Sequence, residues 1–424
     1  MPSNSIFNNA LKIKTPTVSF DAVARQMVFA FLSSIKFGRL TVFEGTDVHE
    51  FGDLCSSGDL LAQVVVEDAG TYSQIAFNGT TGAGEAYMKN QWHTPDLLKV
   101  VRLFVANMQT LDEFDSSKSL FSQLFTKVGH WLRKNTLRGS KENIIAHYDL
   151  SNEFFALFLD ESMMYSAAIF PHRGSTLEQA AQYKLRHVCE RLQLTENDHL
   201  LEIGTGWGSL AIYAAQHYGC KVTTTTISEA QYAHAKERVE CAGLHSKITL
   251  LQEDYRQLSG SYDKLVSIEM IEAVGHEFYR DYFRQCGQLL KPDGLMLIQS
   301  ITIADQRYDK ARNDVDFIKK YIFPGGCLPS VSVIAEHAAA HSDMQIVALE
   351  DITEHYARTL AIWRQRFHLQ LDKVKLQGFD ETFVRMWEYY LAYCEGGFIE
   401  RTIGTSQFLM AKPGFRQLPT IAPL

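Results

Sequence analysis

No two of the chain's seven cysteines (Cys55, Cys189, Cys220, Cys241, Cys286, Cys327 and Cys394) are spaced C-x-x-C, and their number is odd. The pattern supports neither a zinc ribbon nor a disulfide framework, and a reducing cytoplasm is the compartment expected. No metal site is expected. Long apolar runs are missing too: nothing approaches the ~20 residues of a membrane span. The N-terminus lacks the positive flank and apolar core of a signal peptide. Positive charge is not in excess: the formal net charge is -8, which argues against nucleic acid as a partner. Internal repeats and low-complexity tracts are absent. What is present is globular in composition, with 46% hydrophobic and 21% charged residues. At 424 residues, two domains are expected.

Residues 1–115 read as a small α+β unit. Val18–Phe37 has helical periodicity, while Gly38–Phe43 and Leu61–Val66 read as strands. Gly82–Trp92 opens with turn residues, and Thr94-Pro95-Asp96 starts a helix over Leu97–Met108. Within it Glu85, Tyr87 and Trp92 are read as packing residues. Residues 116–142 differ: Lys118, Lys127, Arg133, Lys134, Arg138 and Lys141 flank an apolar stripe that includes Leu120, Phe121, Leu124, Phe125, Val128 and Trp131. Such a helix suits an anionic membrane surface, or a linker packed on a domain, with Gly129 interrupting it.

From Asn143 onward strands and helices alternate. Strands are expected at Leu200–Ile203, Lys221–Ile227, Lys247–Gln252, Tyr262–Ile268 and Leu295–Ile301, with Lys291–Gly294 as a turn before the last. Helices are expected at Leu177–Leu192, from Glu229, and at Phe278–Leu290. Thr405–Ala411 reads as a late, antiparallel strand. The rhythm is that of a parallel α/β sheet. At the end of its first strand stands Glu202-Ile203-Gly204-Thr205-Gly206-Trp207-Gly208. The spacing is neither the G-x-G-x-x-G of dinucleotide enzymes nor a phosphate-cradling loop. Glycines there allow a sharp turn and close approach of a ligand. With an acid just ahead of them, the turn favours S-adenosylmethionine, whose ammonium suits a nearby carboxylate.

Four further blocks narrow the reading: His147–Phe155 (HYDLSNEFF), Ser162–Ser166 (SMMYS), Asp254-Tyr255-Arg256 and Tyr321–Ser330 (YIFPGGCLPS). Together with the glycine turn they resemble the cyclopropane-fatty-acyl-phospholipid synthase family, and the GEAYM segment resembles that family's smaller domain. The resemblance implies a Rossmann-like class I methyltransferase domain, with a seven-stranded, mostly parallel sheet over residues 143–424, preceded by the smaller α+β domain. It implies methyl transfer from S-adenosylmethionine to the cis double bond of an unsaturated phospholipid acyl chain, followed by loss of a proton and ring closure. A phospholipid membrane is then the partner, met peripherally from the cytoplasmic face; homodimerisation is left open. Such chemistry calls for an apolar tunnel, aromatic faces and a weak base. Tyr148, Phe154, Phe155, Phe158, Trp363, Phe367, Trp387, Tyr389 and Tyr390 supply aromatics, most of them expected in the core.

By the same resemblance Glu202, Gly204, Gly206, Thr226, Gln231, Asp254, Tyr255, Tyr165 and Ser166 hold the cofactor. Family members take the proton on a bicarbonate ion held by a cysteine, a glutamate, a histidine and a tyrosine. Glu272 and Tyr356 match two of these positions; Ala167 stands for the cysteine and Gln299 for the histidine. Bicarbonate then binds more weakly, or Glu272 itself takes the proton with a pKa raised by burial, or the cation resolves to a methyl-branched or methylene chain. Glu269 lies three residues before Glu272, where relatives carry a small residue. It shares a face with Glu272 if the stretch is helical, and is a solvent-facing strand-end charge otherwise. A lipid-binding protein with decayed catalysis and a methyltransferase acting on a soluble acceptor are the competing readings; the retained Gly204 and Gly206 favour an enzyme.

Overall fold

A computed structural model of the chain describes residues 20–53, 60–108 and 150–416. The basic segment 116–142 and the His147–Asp149 part of the first family block lie outside the described residues.

The N-terminal unit contains α1 (Phe20–Leu32), β1 (Gly38–Glu44), β2 (Asp47–Asp53), β3 (Leu61–Val66), α2 (Gly70–Met88), β4 (Trp92–His93) and α3 (Leu97–Ala106). Its sheet runs β2-β1-β3-β4. Asp96 caps α3 by accepting the Lys99 N–H at 3.1 Å, as its position before an apolar run suggests. Gly82 does not open a turn: Gly82 and Gly84 lie inside α2, which kinks at Gly79. Close packing explains the glycines. A Cβ on Gly82 would stand 2.0 Å from the Gln74 carbonyl oxygen, and one on Gly84 2.5 Å from the Phe317 ring.

The larger unit begins with a short turn of helix, α4 (Asn152–Phe155), and α5 (Leu177–Arg191). Thr176 and Gln179 close a reciprocal capping box at the start of α5. Then follow β5 (His199–Ile203), α6 (Ser209–Tyr218), β6 (Lys221–Thr225), α7 (Glu229–Cys241), β7 (Ile248–Leu251), β8 (Tyr262–Ile268), α8 (Tyr279–Leu289) and β9 (Leu290–Ile303). Short helices α9 (Asp305–Asn313) and α10 (Phe317–Tyr321) lead to α11 (Val331–His341) and β10 (Gln345–Asp351). The chain closes with α12 (Thr353–Leu369), α13 (Leu371–Leu376), α14 (Glu381–Ile399) and β11 (Ile403–Ala411).

The seven strands are ordered β10-β11-β9-β8-β5-β6-β7. The central strands pair in parallel, and β11 runs antiparallel to both β9 and β10. Helices cover both faces, so the middle strands are continuous apolar runs: Leu200, Leu201, Leu265, Val266, Leu297 and Ile298 are buried. Lys291–Gly294 is not a turn before a strand. It is an irregularity within β9, where the register against β8 shifts between Tyr262 and Lys264. β10, at the sheet edge, had no sequence signal because only one flank is paired and Ile346, Val347 and Leu349 stay exposed.

The N-terminal unit docks on α10 and α14. Glu85 accepts from the Tyr321 hydroxyl at 2.8 Å and pairs with Lys320; the Tyr87 hydroxyl donates to Glu388 at 2.8 Å. Arg385 donates to the carbonyls of Tyr87 (2.5 Å) and Trp92 (2.9 Å), and Arg102 pairs with Glu400 at 2.6 Å. The GEAYM residues are thus packing residues, as expected.

Candidate active site

The ends of β5, β6 and β8 open into a cavity of about 2330 Å3 that continues along α12 and α14 to the N-terminal unit. That exceeds the roughly 300–1,000 Å3 of a pocket for one small ligand. Its position beyond the carboxyl ends of parallel strands is where open α/β sheets bind ligands.

At the cofactor end, Gly204 and Gly206 hold φ of 103° and 53°. Nothing lies within 4 Å of where a Gly206 Cβ would be, so the turn leaves open backbone facing the cavity. The N–H groups of Gly204 and Thr205 both donate to the Thr225 carbonyl, tying the turn to β6. Glu202 is buried in the cavity wall and accepts the Thr224 hydroxyl at 2.6 Å. Burial lifts its pKa to about 8, and a cation seated beside it would bring that value down. A buried carboxyl beside a bare glycine turn fits the ammonium end of S-adenosylmethionine. Thr226 and Gln231 meet beyond β6, hydroxyl to amide oxygen at 2.9 Å. Asp254 and Tyr255 line the same wall; the Asp254 carboxylate is engaged by Arg256 at 2.6 Å, which holds its pKa low. Tyr165 shares a 2.8 Å hydrogen bond with Tyr390, and the Ser166 hydroxyl accepts from Lys184. Every cofactor residue read from the sequence therefore lies on this one cavity.

The reacting end is organised around Glu269. It follows β8 in a left-handed conformation (φ 47°), so it shares no helical face with Glu272, and it stands half-buried on the cavity wall rather than on the outer surface. Its Oε1 accepts the Ala167 N–H at 2.9 Å and the Gln299 amide at 2.8 Å; its Oε2 accepts the Tyr356 hydroxyl at 2.8 Å. Gln299 is itself aimed by Gln407 across the β9–β11 pairing, at 2.9 Å. Burial raises the Glu269 pKa, opposed by the charge of Lys184 and these three donors. Glu272, in the following 3-10 turn, accepts from the Ile301 N–H at 2.5 Å and the Ser300 hydroxyl at 3.0 Å. Its Oε2 is buried without a hydrogen-bond partner. Burial, with the nearby Glu269 adding to it, lifts its pKa to about 8.

Bicarbonate does not fit this arrangement. The Ala167, Gln299 and Tyr356 positions that the family resemblance assigns to holding the ion all donate to the Glu269 carboxylate instead. Of the aromatics, Phe155, Tyr389 and Tyr390 reach the cavity, joined by Tyr165, Tyr356 and Phe398. Phe154, Phe158, Trp363, Phe367 and Trp387 stand behind them in the core.

Two residues of the site were not singled out from the sequence. Gln407 gave no signal, because its partner is 108 residues away and only strand register joins them. Lys184 did leave one: with Leu177, Ala181 and Val188 it falls on the buried stripe of α5, an unusual place for a cation.

The sheet order, the glycine turn and the cavity define a class I S-adenosylmethionine-dependent methyltransferase. The chain belongs to the mycolic acid cyclopropane synthetase family, whose model matches residues 135–408. It is 37% identical over 359 residues to the tuberculostearic acid methyltransferase UfaA1 of Mycobacterium tuberculosis, covering 80% of this chain and 81% of that one. It is 35% identical to the cyclopropane-fatty-acyl-phospholipid synthase of Escherichia coli, over 84% of this chain and 89% of the relative. Among solved structures it resembles the mycolic acid cyclopropane synthase CmaA1 complexed with SAH and CTAB. That match has a TM-score of 0.59 and 30% identity, covering 64% of this chain and 98% of that one.

Proposed function

We propose that the enzyme methylates the cis double bond of an unsaturated phospholipid acyl chain and closes a cyclopropane ring, with Glu269 as the proton acceptor. S-adenosylmethionine, when bound, supplies an electrophilic methyl group on a sulfonium. Glu202 balances the positive charge of its amino-acid end, Gly204 and Gly206 let the backbone approach it, and Thr226 and Gln231 offer polar groups for its ribose. The alkene is the nucleophile, so no side chain needs activation; Tyr165, Tyr356 and Phe398 line the cavity and supply aromatic surface near the positive charge that would develop on the acyl carbons. Glu269 takes the proton that must leave before the ring closes. Its Oε1 has two donors, while Oε2 has one and keeps a lone pair for the substrate.

The observation that carries this reading is the convergence of three donors on one half-buried carboxylate of the cavity wall. The size of the cavity, larger than a cofactor needs, supports an acyl chain as the second occupant. No helix among the described residues is long and apolar enough to cross a membrane. In this reading the enzyme meets lipid peripherally at the cytoplasmic face, and the basic composition of segment 116–142, outside the described residues, supports that segment as the membrane contact. The test is incubation with labelled S-adenosylmethionine and vesicles of unsaturated phospholipid, followed by NMR of the released chains. A cyclopropane proton signature is expected. A methyl-branched or methylene chain overturns ring closure, and label absent from lipid overturns the substrate.

A further inference from the structure

Lys184 is a cation with no access to water: it is 0% exposed, midway along α5 and on the helix's apolar stripe. A buried ammonium is retained at a cost unless it is paired, and an aliphatic side chain would fill this place without one. Its ammonium donates to the Ser166 hydroxyl, a neutral group that does not balance a charge. The next residue along, Ala167, gives its N–H to Glu269. The cation and the proton-accepting carboxylate therefore hold two adjacent residues, Ser166 and Ala167.

We propose that Lys184 is a positioning residue for the Glu269 base: its buried charge keeps that carboxylate ionised inside an apolar cavity. This rests on the assignment of Glu269 as proton acceptor. Among the described residues, the charged groups that act on Lys184 are Glu269, just after β8, and Asp160, from the loop after α4. Asp160 is already committed. It accepts the N–H and hydroxyl of Ser162 and the N–H of Met164, and the Arg238 guanidinium of α7 also senses its charge. Among the described residues, Lys184 is the cation named as opposing the burial of Glu269; the other groups that do so are the neutral donors Ala167, Gln299 and Tyr356, while Glu272 lies near enough to repel it. Burial brings the ammonium's own pKa down to about 8, so it is largely charged at neutral pH. Removing that charge leaves the carboxylate's desolvation less opposed, and its pKa rises.

The test uses the full chain with Lys184→Met, Lys184→Arg, Glu269→Gln and the double variant Lys184→Met/Glu269→Gln. Turnover is followed across pH as label transfer into unsaturated phospholipid vesicles, with calorimetry of S-adenosylmethionine binding alongside. In Lys184→Met the acidic limb of the kcat profile moves up by one unit or more, which is a tenfold loss or greater on that limb. At high pH the rate returns to within about threefold, and cofactor affinity changes by less than about threefold. Lys184→Arg keeps the wild-type limb. Added to Glu269→Gln, Lys184→Met costs no further rate. This comparison still reads out if the single Lys184→Met protein fails to fold, because the double variant leaves no unpaired charge. A loss of equal factor at every pH, a loss confined to cofactor affinity, or additive losses in the double variant overturn the proposal. Full turnover by Glu269→Gln instead overturns the base assignment beneath it.

Discussion

Changing Glu269 to Gln replaces one oxygen by an NH2 and leaves the volume unchanged. The amide oxygen can keep the Oε1 side, where it still accepts from Ala167 at 2.9 Å and Gln299 at 2.8 Å. The NH2 then falls 2.8 Å from the Tyr356 hydroxyl, which can turn to accept. The Tyr356 O–H then loses the acceptor it has in Glu269, at a cost of about 1–3 kcal/mol that the melting curve reads. What disappears is the lone pair on Oε2 and the negative charge behind it. A positioned general base contributes about 10²–10⁴ in rate, and tenfold corresponds to about 1.36 kcal/mol, so kcat falls by about 2.7–5.4 kcal/mol of barrier. Cofactor affinity is expected to stay within about threefold, because the cofactor turn is built from other strands. The assay is label transfer from S-adenosylmethionine to unsaturated phospholipid vesicles, with calorimetry for affinity and a melting curve for the fold. A Glu269→Gln protein that folds, binds cofactor and turns over within tenfold of wild type refutes the assignment.

Gly204→Ala places a Cβ 3.3 Å from Met270 Cγ at a φ of 103°; at roughly 1–3 kcal/mol of strain, cofactor affinity by calorimetry drops about tenfold or more. Glu202 must ionise to receive a cation and titrates near 8 without one, so affinity for S-adenosylmethionine weakens as pH falls below about 8. Calorimetry in two buffers detects the proton released, and a Glu202→Gln protein shows neither the slope nor the release. Glu272 has its pKa raised from 4.5 to about 8 in the fold. Its contribution to stability is therefore fully present below 4.5 and is lost as pH rises through about 8. Glu272→Gln is expected to melt near wild type at the acid end and above it at about pH 8, and a constant offset between the two melting curves counts against this.

The parallel sheet was legible because a strand buried on both faces must be apolar throughout: β8 is bounded as read, and β5 and β6 within two residues. The cofactor turn was legible because a φ of 103° leaves glycine as the natural residue there. The reacting end was only half legible. Gln299, Tyr356 and Glu272 were placed by family resemblance; the structure sets Tyr356 and Glu272 on the cavity wall and buries Gln299 behind it, against Glu269. Glu269 stayed ambiguous, because a carboxylate at a strand end faces water or the interior according to a single φ. Its true surroundings come from residues about 30, 87 and 102 positions away, which periodicity cannot reach. The α2 glycines misled for a related reason: turn residues and close-packing residues are the same residue type, and the Phe317 ring that excludes a Cβ is distant in sequence.

Helix α14 carries Arg385 and Glu388, which fasten the N-terminal unit, and Tyr389, Tyr390 and Tyr393, which line the cavity. One rigid rod is thus a party wall between two rooms. Any load the outer unit feels is transmitted to the cavity wall. Shortening or loosening the smaller half therefore reshapes one wall of the tunnel, through the tyrosines on this helix.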